Sequence, residues 1–455
     1  MKKKEMSMIS LFLMGGALFA MHFGASSMIW PMTWGKESGS NVLIAYVGVF
    51  LTALLLPLLA YVALSRGKGT FLSVTTRAMP KFGQFFCGAT IMILGPLYVI
   101  PRMSAASWDA IVQITGLKVD SIIPIVLFSC VYYLLTYWFV SSRSQMVDKI
   151  SNILFPVLVL IVVGVIVKGL VTPISTWVEQ SYDKPAFIYG FTEGYATGDL
   201  LCGLVFGIII LNNLKEKGVS ENNLNNMVIK VGIVGIGMLC LTHLGHMLVG
   251  SFVGDTLDLQ YASLYTQVVL LLWGKMGGIF FSIALIFASL TTAIGLTAAT
   301  AEYFEEATKG KLPYKKGTFL VLLGSTVIGS IGLDSIVAFF APLLDAFYPG
   351  AIVITLYYSF MPDCMNPKKL NAMRFGVIVS FFAGMLDVLY TYNSLFGLNI
   401  QVYNDFYTMI PLTAYKLSWV PIALIFMCIG YFTCRTERTE KTMVLDMVNV
   451  SIEDN

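Results

Sequence analysis

The sequence predicts an all-α integral membrane protein of twelve transmembrane helices, and three observations carry that expectation. Hydrophobic residues make up 57% of the 455 positions and charged ones only 12%, a balance that a soluble globule with a wetted surface cannot carry. Apolar runs of about eighteen residues or more recur from one end of the chain to the other, each long enough to cross about 30 Å of hydrocarbon. Lys and Arg, finally, alternate between loops as they do in a chain threaded through a membrane.

Spans are expected at 8–34, 40–64, 83–113, 121–140, 150–171, 185–212, 226–253, 277–303, 317–332, 335–360, 372–391 and 409–433. The start, Met1-Lys2-Lys3-Lys4 before an apolar run, has the look of a secretory signal. The run instead continues past any small-residue cleavage point into Trp30-Pro31, and further spans follow it, so a signal anchor that is also the first helix fits better. With the N-terminus inside, 22 of the 29 Lys and Arg fall in cytoplasmic segments: Lys2 to Lys4, Arg66 to Lys81, Arg143 and Lys149, Lys215 to Lys230, Lys309 to Lys316, Lys368 to Arg374, and Arg435 to Lys441. A wrong span count would scramble that alternation. Both termini are expected in the cytoplasm, with residues 434–455 as a polar tail. No soluble stretch is long enough to bury a core of its own, so residues 1–455 read as one membrane domain. The seven cysteines are odd in number and mostly lie inside apolar runs (Cys87, Cys130, Cys202, Cys240, Cys428), as small packing residues rather than a disulfide framework.

Two spans break the rule of continuous helix. The first holds His22-Phe23-Gly24-Ala25-Ser26-Ser27, the sixth Gly190-Phe191-Thr192-Glu193-Gly194-Tyr195-Ala196-Thr197-Gly198-Asp199. Glycine costs about 1 kcal/mol in a helix relative to alanine, and a charge at bilayer depth about 2.5–3.5 kcal/mol. Unwound backbone survives there only where protein or a water-filled cavity covers it, and such a cavity is a candidate binding site. Breaks in spans 1 and 6 are where two inverted repeats of five spans would each place their first helix. The repeats would cover 1–171 and 185–360, followed by two additional helices over 372–433. A glycine-rich packing seam is the competing account, better for the first segment than for the second, where packing does not explain Glu193 and Asp199.

Four stretches carry a resemblance: span 1 through Pro31; Gly95-Pro96-Leu97-Tyr98-Val99-Ile100-Pro101-Arg102; the run from Gly190 to Asp199; and Leu290-Thr291-Thr292-Ala293-Ile294-Gly295 followed by Ala301-Glu302-Tyr303-Phe304. In register along nearly the whole chain, they resemble the branched-chain amino acid:cation symporter family, the system II carriers. The resemblance implies a LeuT-like fold and import of leucine, isoleucine and valine with a cation, Na+ in the first instance, across a bacterial cytoplasmic membrane. There are departures. The family's first break usually reads Gly-Ala-Gly-Asn where this chain has Gly24-Ala25-Ser26-Ser27; Gly198 stands where a methionine is expected, and Tyr98 where phenylalanine is more usual. Serine for glycine narrows backbone freedom, so these positions bear on the substrate more than on the fold.

Position by position, the resemblance places the substrate carboxylate on the backbone amides around Ala25, Ser26 and Ser27, beside Gly24 and Tyr98, with the half-helix dipole adding to their pull. The ammonium would lie near Gly190, Phe191, Glu193 and Gly194, which offer carbonyls or a carboxylate. Glu193 has a second reading, an intramembrane charge pair with Arg102, and Asp199 belongs to the same set of charges. For the cation, carbonyls of Ala20 and Phe23 beside the first break are candidates, together with Ala288, Thr291 and Thr292, which share one helical face. The threonines alternatively bond back to their own helix.

The remaining features are weaker. His243 and His246 are spaced for a metal but have no third ligand nearby. His22 is either a proton carrier or a cap on the broken helix. Asp109, Asp345 and Asp387 fall near span ends, and 254–265 reads as an amphipathic external loop. The spans hold no Gly-x-Ser-x-Gly, His-Glu-x-x-His or paired-aspartate motif, and the chain has no phosphate-binding Gly-x-x-x-x-Gly-Lys-Ser/Thr loop. Neither an enzyme nor an ATP-driven pump is expected, and no cofactor beyond Na+ or H+ as coupling ion. Alternatives kept open are a proton-coupled carrier of another small neutral amino acid and a non-transporting amino acid sensor on the same fold. A channel would prefer a continuous polar lining.

Overall fold

The computed structural model describes residues 7–117, 121–361 and 365–434. The expected cytoplasmic segments Lys2 to Lys4 and Arg435 to Lys441, with the tail beyond Cys434, lie outside the described residues.

All regular structure among the described residues is helical. The chain opens with a pair, α1 (Met8–His22) and α2 (Ala25–Ser38), and continues in α3 (42–67, with a π-helical turn at Phe50–Leu55) and the short α4 (Phe71–Ala78). Next come α5 (Pro80–Met92, running into a π-helical Ile93–Leu97), α6 (Val99–Thr115), α7 (Ile123–Val140) and α8 (143–171, π-helical at Ile150–Leu154). A second pair, α9 (Ala186–Ala196) and α10 (Asp199–Glu216), precedes α11 (Glu221–Ser251) and α12 (Tyr261–Ala307). The rest are α13 (Tyr314–Gly329), α14 (Leu333–Phe340), α15 (Leu343–Phe360), α16 (Pro367–Leu395), α17 (Gln401–Met409) and α18 (Trp419–Thr433). Among the described residues, eight stretches are long and apolar enough to cross a membrane, two bent pairs bring this to ten, and the shorter apolar helices α1 and α18 come first and last.

The interior is largely apolar, but the outer surface is apolar as well and many hydroxyls are buried, unlike in a soluble protein. Large apolar side chains such as Leu160, Leu241, Val327 and Phe432 are exposed on outer faces, whereas Ser104, Ser107, Thr90, Thr291, Thr297 and Thr300 are wholly buried. Lipid accepts the first group, and helix carbonyls take up many of the hydroxyls inside.

Every residue from Met14 to His22 is buried, as is every residue from Ala288 to Tyr303. These two segments form the centre, with α11 packed on both α1 and α2. The fit there is backbone on backbone. A Cβ on Gly35 would lie 1.9 Å from the Met247 carbonyl oxygen, and one on Gly250 would lie 2.0 Å from that of Met32.

Several boundaries differ from expectation for identifiable reasons. The helix expected from 150 begins at 143, because a polar turn containing Arg143 and Lys149 extends it beyond the apolar run. The expected loop 254–265 is a short 3₁₀ turn (Gly254–Thr256) followed by the first residues of α12, which turns at Gly274 (φ +61°) before its long apolar part. The expected single span 335–360 is split by Ala341-Pro342 into α14 and α15. Span 409–433 starts ten residues late, at Trp419. Asp387 does not face water: it is buried on α16 and accepts a hydrogen bond from the Tyr407 hydroxyl of α17. Asp345 pairs with Lys416 at 2.9 Å.

Candidate functional site

Breaking a helix frees the carbonyls of its last turn, and these need new partners if they are buried. In α1 helical bonding stops at Phe23, whose N–H still reaches the Phe19 carbonyl at 2.7 Å. Hydroxyls from elsewhere then serve the next three carbonyls. The Thr291 hydroxyl lies 2.5 Å from the Ala20 carbonyl oxygen, the Thr292 hydroxyl 2.7 Å from that of Met21, and the Ser27 hydroxyl 3.1 Å from that of His22. Gly24 donates its own N–H back to His22 at 2.8 Å. No side chain fits at Gly24, since a Cβ would meet the Thr292 hydroxyl at 2.8 Å.

The predicted cation-site residues are thus largely brought together. The Ala20 and Ala288 carbonyls converge on Thr291, at 2.5 and 2.9 Å, and Thr292 reaches across to the broken helix without bonding back to its own. Thr291 thus bonds back to its own helix at Ala288 and across to the broken helix at Ala20. Phe23 is fully buried at the break, its ring stacked on Phe19 (centroids 5.0 Å apart) and on His246 (6.0 Å). The Met21 carbonyl and the capping role of Ser27 were not anticipated, although a hydroxyl three residues past a break is a recognisable cap.

The predicted substrate residues of span 1 lie around the same break. Ala25, Ser26 and Ser27 form the first turn of α2, behind Gly24 as its N-cap, so their amides are those that an α-helix leaves free of internal partners. Tyr98 stands at the end of a kink where Gly95 (ψ −117°) and Pro96 interrupt helical bonding. Its hydroxyl accepts from Arg102 Nη1 at 2.6 Å.

The second break is narrower than expected. Only Thr197 and Gly198 interrupt it, Gly198 at φ +70°, and α9 and α10 meet at a bend of 44°. Gly190 and Phe191 are inside regular helix, which corrects the expectation that their carbonyls are freed, whereas Glu193 and Gly194 belong to the last turn of α9, where the Gly194 carbonyl accepts from the Thr197 hydroxyl at 2.9 Å. Gly190 and Gly194 instead form a seam with α3. A Cβ on Gly190 would lie 1.8 Å from the Ala45 carbonyl oxygen, and one on Gly194 would lie 2.4 Å from the Thr52 hydroxyl; Gly48 of α3 returns the contact. The expected Arg102–Glu193 pair is not made either. Glu193 accepts from Trp34 Nε1 at 3.1 Å, while Arg102 lies over the Tyr98 ring (4.7 Å) and beside Trp30 (6.0 Å). Asp199 opens α10, close enough for the Arg102 charge to act on it.

Three buried histidines lie near the first break. His22 bonds the Tyr61 hydroxyl through Nε2 at 2.8 Å. His243 and His246 each hold a carbonyl of their own helix through Nδ1, at 3.0 and 2.8 Å, and His246 Nε2 bonds the Tyr265 hydroxyl at 2.9 Å. Among the described residues no group of three or more His, Cys, Asp or Glu is placed to hold a metal.

A charged cluster at the far end of α12 went unnoticed in the sequence, where Glu302 served only as part of a motif. Glu302, with a side chain 3% exposed, accepts from Arg143 Nε at 3.0 Å and from Asn212 at 2.6 Å; Glu305, at 32% exposed, takes Arg143 Nη1 at 2.8 Å. The cluster ties α8, α10 and α12 together and borders a small cavity with Ile209 and Tyr314. Glu302→Gln is expected to cost about 1–3 kcal/mol, because a buried charge-assisted bond is lost. Glu305→Gln is expected to cost less than about 1 kcal/mol, its pair being partly hydrated. Thermal unfolding of the two purified variants in detergent gives the comparison; equal losses would mean that burial at Glu302 does not govern the pair.

A family model described as branched-chain amino acid transport protein matches residues 7–437. The branched-chain amino acid permease BraB of Bacillus subtilis (strain 168) is 30% identical over 443 residues, covering 92% of this chain and 94% of its own. Among solved structures, the nucleobase-cation-symport-1 family transporter Mhp1, in a closed conformation with bromovinylhydantoin bound, superposes with a TM-score of 0.58 over 90% of this chain and 95% of that one, at 13% identity.

Proposed function

The chain belongs to the branched-chain amino acid transport protein family, a multi-pass membrane protein, and on that premise we propose that it is a secondary active transporter bringing leucine, isoleucine and valine into the cell together with Na+. On this reading twelve crossings form two inverted repeats of five helices, with α16 and α18 added, in a bacterial cytoplasmic membrane with both termini inside.

The convergence of Thr291 and Thr292 on the Ala20 and Met21 carbonyls is the observation that carries the reading. Hard cations are held by several oxygens, and carbonyls released at a helix break are a usual source in carriers. A cation held there would join α12 to the broken helix. Ion binding would then stabilise the arrangement of α1 and α2 that presents the free amides of Ala25, Ser26 and Ser27 to a carboxylate, and this differential stabilisation is what couples two ligands. The ammonium and apolar side chain would lie toward the break between α9 and α10.

A second reading, with a proton in place of Na+, has its own observation: His22 Nδ1 is buried beside the break without a hydrogen-bond partner. Uptake of labelled leucine, isoleucine and valine into proteoliposomes, with alanine and lysine as controls, separates these. Accumulation against a gradient driven by imposed Na+ is expected. Accumulation driven by a proton gradient alone would replace Na+ with H+, and ligand binding without accumulation would make the protein a sensor.

A further inference from the structure

Two charged side chains next to the breaks each keep one polar atom unmatched. Arg102 sits on α6 one turn beyond the Gly95-Pro96 kink, its guanidinium held over the Tyr98 ring and bonded through Nη1 to the Tyr98 hydroxyl. Its Nε–H is buried without a hydrogen-bond partner. Asp199 is the first residue of α10, only 9% exposed, with Oδ2 buried and likewise unpartnered. The two side chains lie within electrostatic reach of each other, yet among the described residues no ion pair of 4.0 Å or less joins guanidinium to carboxylate. Intramembrane charges of opposite sign ordinarily close on each other, because leaving either unmatched in a low dielectric is costly. Here the aromatic cage of Tyr98 and Trp30 holds one, and the turn at Thr197-Gly198 holds the other.

We propose that Arg102 and Asp199 together receive the charged head group of an α-amino acid, Arg102 taking the carboxylate and Asp199 the ammonium. The unmatched atoms have the required polarity: Nε–H donates to a carboxylate oxygen, and Oδ2 accepts from an ammonium N–H. An α-amino acid carries both charges on neighbouring atoms, so it satisfies the two residues at once, which a simple anion or cation cannot do. Glu193 is the weaker candidate for the ammonium, since Trp34 already donates to it. The assignment rests on the amino acid transport reading above. It adds that specificity for the free zwitterion resides in side chains of α6 and α10 as well as in the amides of α2.

The test pairs variants with ligands that each lack one charge. Binding of leucine, leucinamide (no carboxylate) and 4-methylpentanoate (no ammonium) is read from the ligand-induced rise in unfolding temperature of the purified protein, with dissociation constants from its concentration dependence. Wild type is expected to prefer leucine over both analogues by about a hundredfold, since a site built to hydrogen-bond a group rejects ligands without it. Asp199→Asn, which keeps the shape, should lose most of the preference over 4-methylpentanoate and keep that over leucinamide. Arg102→Gln should show the reverse, and Arg102→Lys, which preserves charge without the fork, should fall between. Should Arg102→Gln fail to fold, the Asp199→Asn and Arg102→Lys pair still decides the matter. Equal weakening of all three ligands in these variants would overturn the assignment while leaving transport intact. If wild type binds no amino acid at all, the transport reading itself falls.

Discussion

Replacing Thr291 and Thr292 together with valine is expected to abolish Na+-driven accumulation of leucine. Valine matches threonine in shape, so the change subtracts two hydroxyl oxygens and little else. Each hydroxyl that touches a charged partner is worth about 1.5–3 kcal/mol, which corresponds to a tenfold or greater loss of apparent ion affinity per residue. The single variants should therefore raise the Na+ concentration for half-maximal uptake by at least about tenfold, and the double variant should push it beyond reach. Stability should fall as well, since the Ala20 and Met21 carbonyls lose their donors in a fully buried place. Uptake titrated with Na+ at constant ionic strength checks the first claim, and unfolding in Na+-free buffer the second. Wild-type Na+ dependence in both single variants would remove the cation from this site.

The other large effect is structural. Gly190→Val is expected to prevent assembly of α9 on α3, because even a Cβ would lie 1.8 Å from the Ala45 carbonyl oxygen, and that oxygen belongs to backbone that cannot swing away. The helices would have to separate along the seam that also contains Gly48 and Gly194. Monodisperse protein should not be recoverable in detergent. Gly198→Ala, eight residues further on, isolates the other reason for glycine. Its Cβ would meet nothing nearer than Leu344 at 3.6 Å, so the penalty is the left-handed backbone alone, about 1–2 kcal/mol. That variant should fold with a lowered unfolding temperature. Comparable behaviour of the two would mean that Gly190 is not held as closely as described.

Much of this was legible beforehand. The first break was readable because glycine and serine interrupt an apolar run, and Thr291 and Thr292 were singled out by the resemblance and by the helical face they share with Ala288. In the second segment three glycines looked alike, and the sequence has no means of telling a glycine that turns the chain from one that lets two backbones touch. Gly198 does the first; Gly190 and Gly194 do the second. The partner of Glu193 was equally out of reach. Trp34 lies 159 positions away, and nothing local distinguishes it from Arg102 as a neighbour. The Glu302 cluster was hidden for the same reason, its three helices being far apart along the chain.

By itself, the sequence determined the membrane class, the approximate place of most helices and the existence of two interruptions, since hydrophobicity, glycine content and charge act over a few consecutive residues. The tertiary structure alone decided which carbonyl each hydroxyl serves, which glycines are contact surfaces, and which charges remain unmatched. Those outcomes depend on distances between segments remote in sequence, and at membrane depth a buried polar group has only such remote segments, not water, to turn to.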